Sequence, residues 1–356
     1  MKSRTTRGLV AGGVLGSVAA GIAAGVALEK LVVGRTRLRP DPEAAEHFGR
    51  LPGRTSTIEL PDGVVLHVEE TGAGALTVVF CHGWALSCAS WHYQRKDLGD
   101  VARLVFYDHR AHGRSTKGDS IRHTIDQLGF DLGHVLDAVA PTGPVVLVGH
   151  SMGGMSIMAL ADQRPELFGA RVVGAVLIGT SAGRLIDIGP ALSIRATAVL
   201  TNQVLPRLQS IATKRGGLIE RGRRMGSDVS FLLNRFTGFG ANASPAQVEF
   251  VERMIAATPI DVISSFSGTF PVHDKFDALT TLGSVPVLVL AGGADRLTPL
   301  SHAREITARA GGAELVTFDG AGHMVMFERA PLVNLHLRAF LRRAMRGGRR
   351  TAARGA

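Results

Sequence analysis

Apolar and polar side chains alternate along Thr55–Leu60 and again along Val64–Glu69, on either side of Pro61-Asp62-Gly63. A period of two broken by that turn chemistry predicts a hairpin with one covered face. The pattern then changes. Leu76–Cys81 is apolar except for Thr77, and Ala102–Tyr107, Val145–Val148, Val172–Ile178, Val285–Ala291 and Glu314–Phe318 follow as short, mostly apolar runs. Such runs predict strands, and the wholly apolar ones read as buried on both faces. Arg122–Val139 and Ser156–Asp162 read as helices between them, so the chain belongs to the α/β class. Between the two groups of strands, Ala182–Asp277 is too long for a loop and lacks strand alternation, which predicts an inserted helical lid.

The ends have a different texture. Met1–Arg7 carries Lys2, Arg4 and Arg7, and Gly8–Leu28 carries no charge. As a helix that run would rise about 31 Å, close to the hydrocarbon thickness of a bilayer. Residues 1–34 therefore read as a basic and transmembrane segment, with Gly8, Gly12, Gly16, Ala20 and Ala24 on one face. The expectation is a membrane-anchored protein. The alternative is a signal peptide cut near Gly25-Val26-Ala27, which would leave the protein secreted. Residues 35–53 read as a linker, 54–181 and 278–341 as the two halves of the core, 182–277 as the lid, and 342–356, with six arginines, as a disordered basic tail.

At 356 residues and 45% apolar composition the chain fills one large α/β domain with an insertion, or two ordinary domains. The net charge of +10 brings no nucleic-acid recognition motif with it, so no nucleic-acid partner is expected. Cys81 and Cys88 are too few for a disulfide framework and read as small buried or loop residues.

The strongest chemical signal is Gly149-His150-Ser151-Met152-Gly153, placed where the strand from Val145 turns into a helix. A strand turning straight into a helix crowds its middle residue into a strained conformation, and small residues two before and two after let the backbones pass. Ser151 is the expected nucleophile. The Met152 N–H, at a helix N-terminus, is one expected oxyanion donor. His82-Gly83-Trp84 ends the strand at Cys81, where an α/β sheet builds its site, and the Trp84 N–H is the second expected donor. His109 and His112 stand three apart beside Asp108, but no further ligand lies at recognisable spacing, so no metal is expected there and the segment reads as a hydrogen-bonded loop.

From about Thr55 to Leu341 this pattern resembles the α/β-hydrolase superfamily, on the elbow, on His82-Gly83-Trp84 and on two closing motifs. That resemblance implies a mostly parallel central sheet and a nucleophile, an acid and a histidine in that chain order. Gly292-Gly293-Ala294-Asp295-Arg296-Leu297-Thr298-Pro299 looks like the acid turn, with Asp295 in the acid position. Asp319-Gly320-Ala321-Gly322-His323-Met324 matches the loop bearing the histidine, His323. Asp187, beyond the sixth strand, is the competing acid. Where the family usually carries a glycine, this chain has Ala111.

In that arrangement His323 takes the Ser151 proton and Asp295 holds the imidazole in the right tautomer. His150 should point away from the nucleophile and serve packing or polar support. Met225, Phe231, Leu232, Leu233, Phe236 and Phe239 could line an apolar channel or form the lid's own core. The expected activity is hydrolysis of carboxylic esters of apolar acyl groups, with a small-molecule ester as partner and no cofactor. A cofactor-free haloperoxidase or perhydrolase, or a carbon–carbon bond hydrolase, would use the same triad, and a non-catalytic binding protein could be built on the same fold. An epoxide hydrolase or dehalogenase resembles the chain less, because those need an aspartate where Ser151 stands.

Overall fold

The computed structural model describes residues 41–185 and 234–352, with side chains as far as residue 346. Eight strands make one sheet: β1 (Arg54–Glu59), β2 (Val65–Thr71), β3 (Thr77–Cys81), β4 (Arg103–Tyr107), β5 (Val145–His150), β6 (Val172–Ile178), β7 (Val287–Gly292) and β8 (Glu314–Phe318). Their order is β1-β2-β4-β3-β5-β6-β7-β8. The expected hairpin pairs β1 with β2 antiparallel, and β2 joins β4 antiparallel. From β4 to β8 every pairing is parallel.

The apolar runs are explained by coverage of both faces. Val78, Phe80, Val146, Val148, Val176, Ile178, Leu288 and Leu290 project into one buried layer. Their neighbours Val79, Cys81, Val145, Leu147, Ala175, Leu177, Val287 and Val289 project into the other. The strand period of two thus feeds two cores, so no position on a central strand can be polar at low cost. Cys81 and Cys88 are both buried and free.

The sheet is accompanied by helices α1 (His92–Leu98), α2 (Ile125–Val139), α3 (Met152–Gln163), α4 (Pro245–Ala257), α5 (Ile260–Ser267), α6 (Ala278–Leu282), α7 (Leu300–Arg309), α8 (Val325–Glu328) and α9 (Ala330–Ala352). Helices α2, α3, α6 and α7 cover the second face through Leu132, Leu136, Ile157, Leu160, Leu279, Leu282 and Ile306. Leu98 of α1, Val248 and Val251 of α4, and Val333, Leu337, Phe340 and Leu341 of α9 cover the first. Helix α2 begins at Ile125 rather than Arg122 because the Thr124 side chain accepts the Gln127 N–H at 3.1 Å, an N-cap; Ser120–Arg122 forms a separate 3-10 turn.

Two expectations about the ends are corrected. The described part of the linker is docked: Phe48 is buried, Glu46 bonds His92 at 2.8 Å, and Asp41 accepts the Ala246 N–H at 2.8 Å. One aromatic anchor with polar contacts on both sides suffices to hold a proline-bearing segment against the domain. The basic tail, as far as Ala352, is the last part of helix α9 rather than disordered chain. Within the expected lid, residues 245–257 and 260–267 are helical, and an isolated bridge joins Gly183 to Asp274. Among the described residues no helix is long and apolar enough to cross a membrane, and Gly8–Leu28 lies outside them.

Candidate active site

Ser151 sits between β5 and α3 with φ of 53° and ψ of −118°, a left-handed backbone for a residue with a Cβ. Its N–H donates to Ile178 O at 2.9 Å, and its carbonyl accepts from Gly154 N at 2.9 Å and Thr180 Oγ1 at 2.7 Å. The flanking glycines are steric requirements. A Cβ on Gly149 would press on the Gly153 carbonyl, and one on Gly153 would sit on the carbonyl of Cys81. The turn is therefore over-determined by β5, β3 and α3, which is how strain persists in a native state. Among the described residues the Ser151 hydroxyl has no hydrogen-bond partner. Catalytic hydrogen bonds often tighten only around a substrate.

Asp295 and His323 meet at the carboxyl ends of β7 and β8. The His323 Nδ1 lies 2.9 Å from Asp295 Oδ2, and both side chains are buried. The same carboxylate accepts the Leu297 N–H at 2.8 Å, the Thr298 N–H at 2.9 Å and the Thr298 hydroxyl at 2.8 Å. Burial pushes the Asp295 pKa up, but the attraction of His323 and the bonds from His323 and Thr298 outweigh it and leave it below its ordinary value. An ionised Asp295 accepting Nδ1–H leaves Nε2 of the neutral ring with a free lone pair. The pair stands beside the elbow: the His323 and His150 rings are 4.7 Å apart, and His150 directly precedes Ser151.

On the other side of Ser151, Gly83 and Trp84 follow β3. Among the described residues neither the Trp84 nor the Met152 N–H has a backbone acceptor. The Trp84 ring packs edge-on against Phe270 at 5.3 Å, which carries part of the 260–277 region over this end of the sheet.

His150 donates from Nε2 to the His323 carbonyl at 3.1 Å, a polar support for the loop bearing His323. His82 donates from Nδ1 to Gly83 O at 2.8 Å and accepts the His109 N–H at 3.0 Å, so the two bonds specify its neutral tautomer. His109 donates to His82 O at 3.1 Å and His112 to Arg110 O at 3.0 Å, and these two do lie in a hydrogen-bonded loop. Burial lowers the His82 pKa to about 4 and that of His112 to about 3, and holds His109 and His150 well below the usual imidazole range. The neutral His150 ring beside His323 does not oppose a positive charge forming on it. Ala111 has φ of 64°, which is the physical reason a glycine is expected there.

One group of side chains has metal-ligand proximity among the described residues, His67, Glu69 and Cys88, with ligand atoms within 4.8 Å of one another. Glu69 is already bonded by His67 and Arg95 and paired with Arg114 at 2.9 Å, so two guanidinium groups oppose a cation there.

Several contributors carry no local sequence signal. Thr298 braces the Asp295 carboxylate, Thr180 holds the Ser151 carbonyl, and Glu328 accepts the N–H of Gly322 at 2.7 Å. Of the expected lid residues, Phe239 is buried in the main core and Phe236 is half exposed under the Arg296 guanidinium at 4.3 Å. Met225, Phe231, Leu232, Leu233 and the competing acid Asp187 lie outside the described residues.

Residues 77–330, well over half of the chain, match the sequence pattern of the alpha/beta hydrolase fold. The chain is 28% identical over 296 residues to a non-heme chloroperoxidase of Streptomyces lividans, covering 80% of this chain and 99% of that one. It is also 28% identical over 295 residues to a bifunctional esterase/perhydrolase of Acinetobacter calcoaceticus, covering 79% and 97%. Among solved structures it is similar to a hydrolase from Pseudomonas aeruginosa PA01, with a TM-score of 0.64, 25% identity and coverage of 82% and 99%. An esterase from Exiguobacterium antarcticum shares the fold with a TM-score of 0.67 at 17% identity, covering 81% and 100%. With a family pattern matched over residues 77–330 and an eight-stranded, mostly parallel sheet, the chain belongs to the α/β-hydrolase family.

Proposed function

We propose that this hydrolase cleaves carboxylic esters of apolar acyl groups through an acyl-enzyme on Ser151. The observation that carries the reading is the strained Ser151 turn set one residue from His150, whose ring adjoins a buried His323–Asp295 pair bonded at 2.9 Å. In this reading Ser151 Oγ attacks the ester carbonyl carbon while His323 Nε2 takes the hydroxyl proton. The Met152 and Trp84 N–H groups hold the oxyanion, and collapse of the tetrahedral adduct expels the alkoxide with the proton that His323 returns. Water then attacks the acyl-enzyme by the same route in reverse and releases the acid. Asp295 stays ionised throughout and orients the ring.

A second reading rests on the relatives, two of which are named as a chloroperoxidase and as a bifunctional esterase/perhydrolase. Hydrogen peroxide in place of water would resolve the same acyl-enzyme to a peracid. The test is turnover of aryl esters with acyl chains from acetyl to dodecanoyl, with and without peroxide. Hydrolysis with a KM that falls as the chain lengthens supports the esterase; peracid that outpaces acid at equal concentrations of peroxide and ester supports the perhydrolase. No turnover of any member under either condition would contradict both.

A further inference from the structure

Residues 234–241 lie across the two loops that carry Asp295 and His323. Arg296, next to Asp295, donates to Phe236 O at 2.6 Å with its guanidinium over the Phe236 ring. Met324, next to His323, donates its N–H to Gly238 O at 2.8 Å. Glu328 then joins the two backbones: one carboxylate oxygen accepts the Gly322 N–H at 2.7 Å, the other the Gly240 N–H at 2.8 Å. The chains touch at that point, since a Cβ on Gly322 would lie 2.5 Å from the Phe239 carbonyl carbon and 2.6 Å from the Gly240 nitrogen. A carboxylate receiving two N–H donors on its two oxygens is a directional clamp, and these two bonds favour the ionised form against the burial that raises the Glu328 pKa above its ordinary value.

We propose that Glu328 is a positioning residue whose carboxylate clamps the 234–241 segment onto the loop bearing His323 and so fixes where the imidazole stands relative to Ser151. This rests on the serine-hydrolase reading above. The loop 319–324 carries glycines at 320 and 322 and has little stiffness of its own, so the ring's place is set by contacts. Asp295 fixes Nδ1, His150 fixes the His323 carbonyl, and Glu328 fixes the Ala321–Gly322 peptide, one residue before the histidine. A chain segment from the inserted region is thereby tied to the base of the catalytic machinery.

The test is E328Q in the full chain. Glutamine keeps the size, but its amide can accept one of the two N–H groups and turns an NH2 toward the other, so half of the clamp opens. A base displaced by a fraction of an ångström lowers the chemical step, so kcat for a short aryl ester and the rate of fluorophosphonate labelling fall together about tenfold or more, while KM stays within about twofold. E328A should fall further. Thermal melts of both variants show whether folded protein is being compared, and activity is taken per folded chain. Wild type that labels, with E328Q and E328A labelling at the same rate, overturns the proposal alone. A loss confined to KM also overturns it, because that is the mark of a binding contact rather than of a displaced base. Wild type that neither labels nor turns over any ester overturns the serine-hydrolase reading, and the proposal with it.

Discussion

A buried Asp295–His323 pair bonded at 2.9 Å stands beside the strained Ser151 turn. Ser151 announces itself in the sequence because the glycines around it are dictated by local backbone crowding, and Asp295 and His323 are found through the loops they share with the family. Thr298 and Glu328 are not legible, because each works across space: the Thr298 hydroxyl reaches Asp295 Oδ2 at 2.8 Å, and Glu328 spans two backbones that are 82 residues apart in the chain only by their folding together. His150 lies between the two cases, since its direction along the strand is readable but its bond to the His323 carbonyl is not. The acid is the member that the competing Asp187 places most at stake. Asp295→Asn should lower kcat by about 10³–10⁴-fold, because an asparagine that donates toward Nδ1 favours the wrong tautomer. Asp187→Asn should leave kcat near wild type. The reverse order in steady-state kinetics would move the acid to the end of β6.

At the level of elements, the strands were readable because nearly every position on β3 to β7 is covered on both faces, so composition alone marks them. The helix α1 was not, since seven residues, His-Tyr-Gln-Arg-Lys-Asp-Leu, give too little length for a 3.6-residue period to show. The docked segment 41–53 looked like a linker because its prolines and charges hide the one residue, Phe48, that anchors it. The elbow makes the sharpest element-scale prediction. Gly153→Ala would put a methyl group on the Cys81 carbonyl between two backbones, and neither β3 nor α3 can give way without disturbing the sheet. A loss of about 1–3 kcal/mol or more is expected, read as a lower urea midpoint at unchanged slope. An unchanged midpoint would show that the elbow has room that its geometry denies.

Across the whole molecule, burial of neutral imidazoles sets how the fold responds to acid. His82 has a pKa of about 4 and His112 of about 3 in the folded protein, against an ordinary value of 6.5. Below pH 6.5 the unfolded chain takes up protons that the folded chain refuses, so stability is complete above that pH and falls as the pH drops toward 4. Each such ring contributes a slope of up to about 1.4 kcal/mol per pH unit. Urea midpoints measured from pH 7 to pH 5 should therefore fall steadily, and a flat series would show that these rings are protonated in the fold. The central claim, that Ser151 is the nucleophile of an acyl-transferring hydrolase, is reached most directly by fluorophosphonate labelling of the full chain, with the modified residue mapped by peptide mass spectrometry. A single adduct on Ser151 is expected, lost in Ser151→Ala while the circular-dichroism spectrum is unchanged. An adduct on another residue, or undiminished labelling of the Ser151→Ala chain, would contradict it.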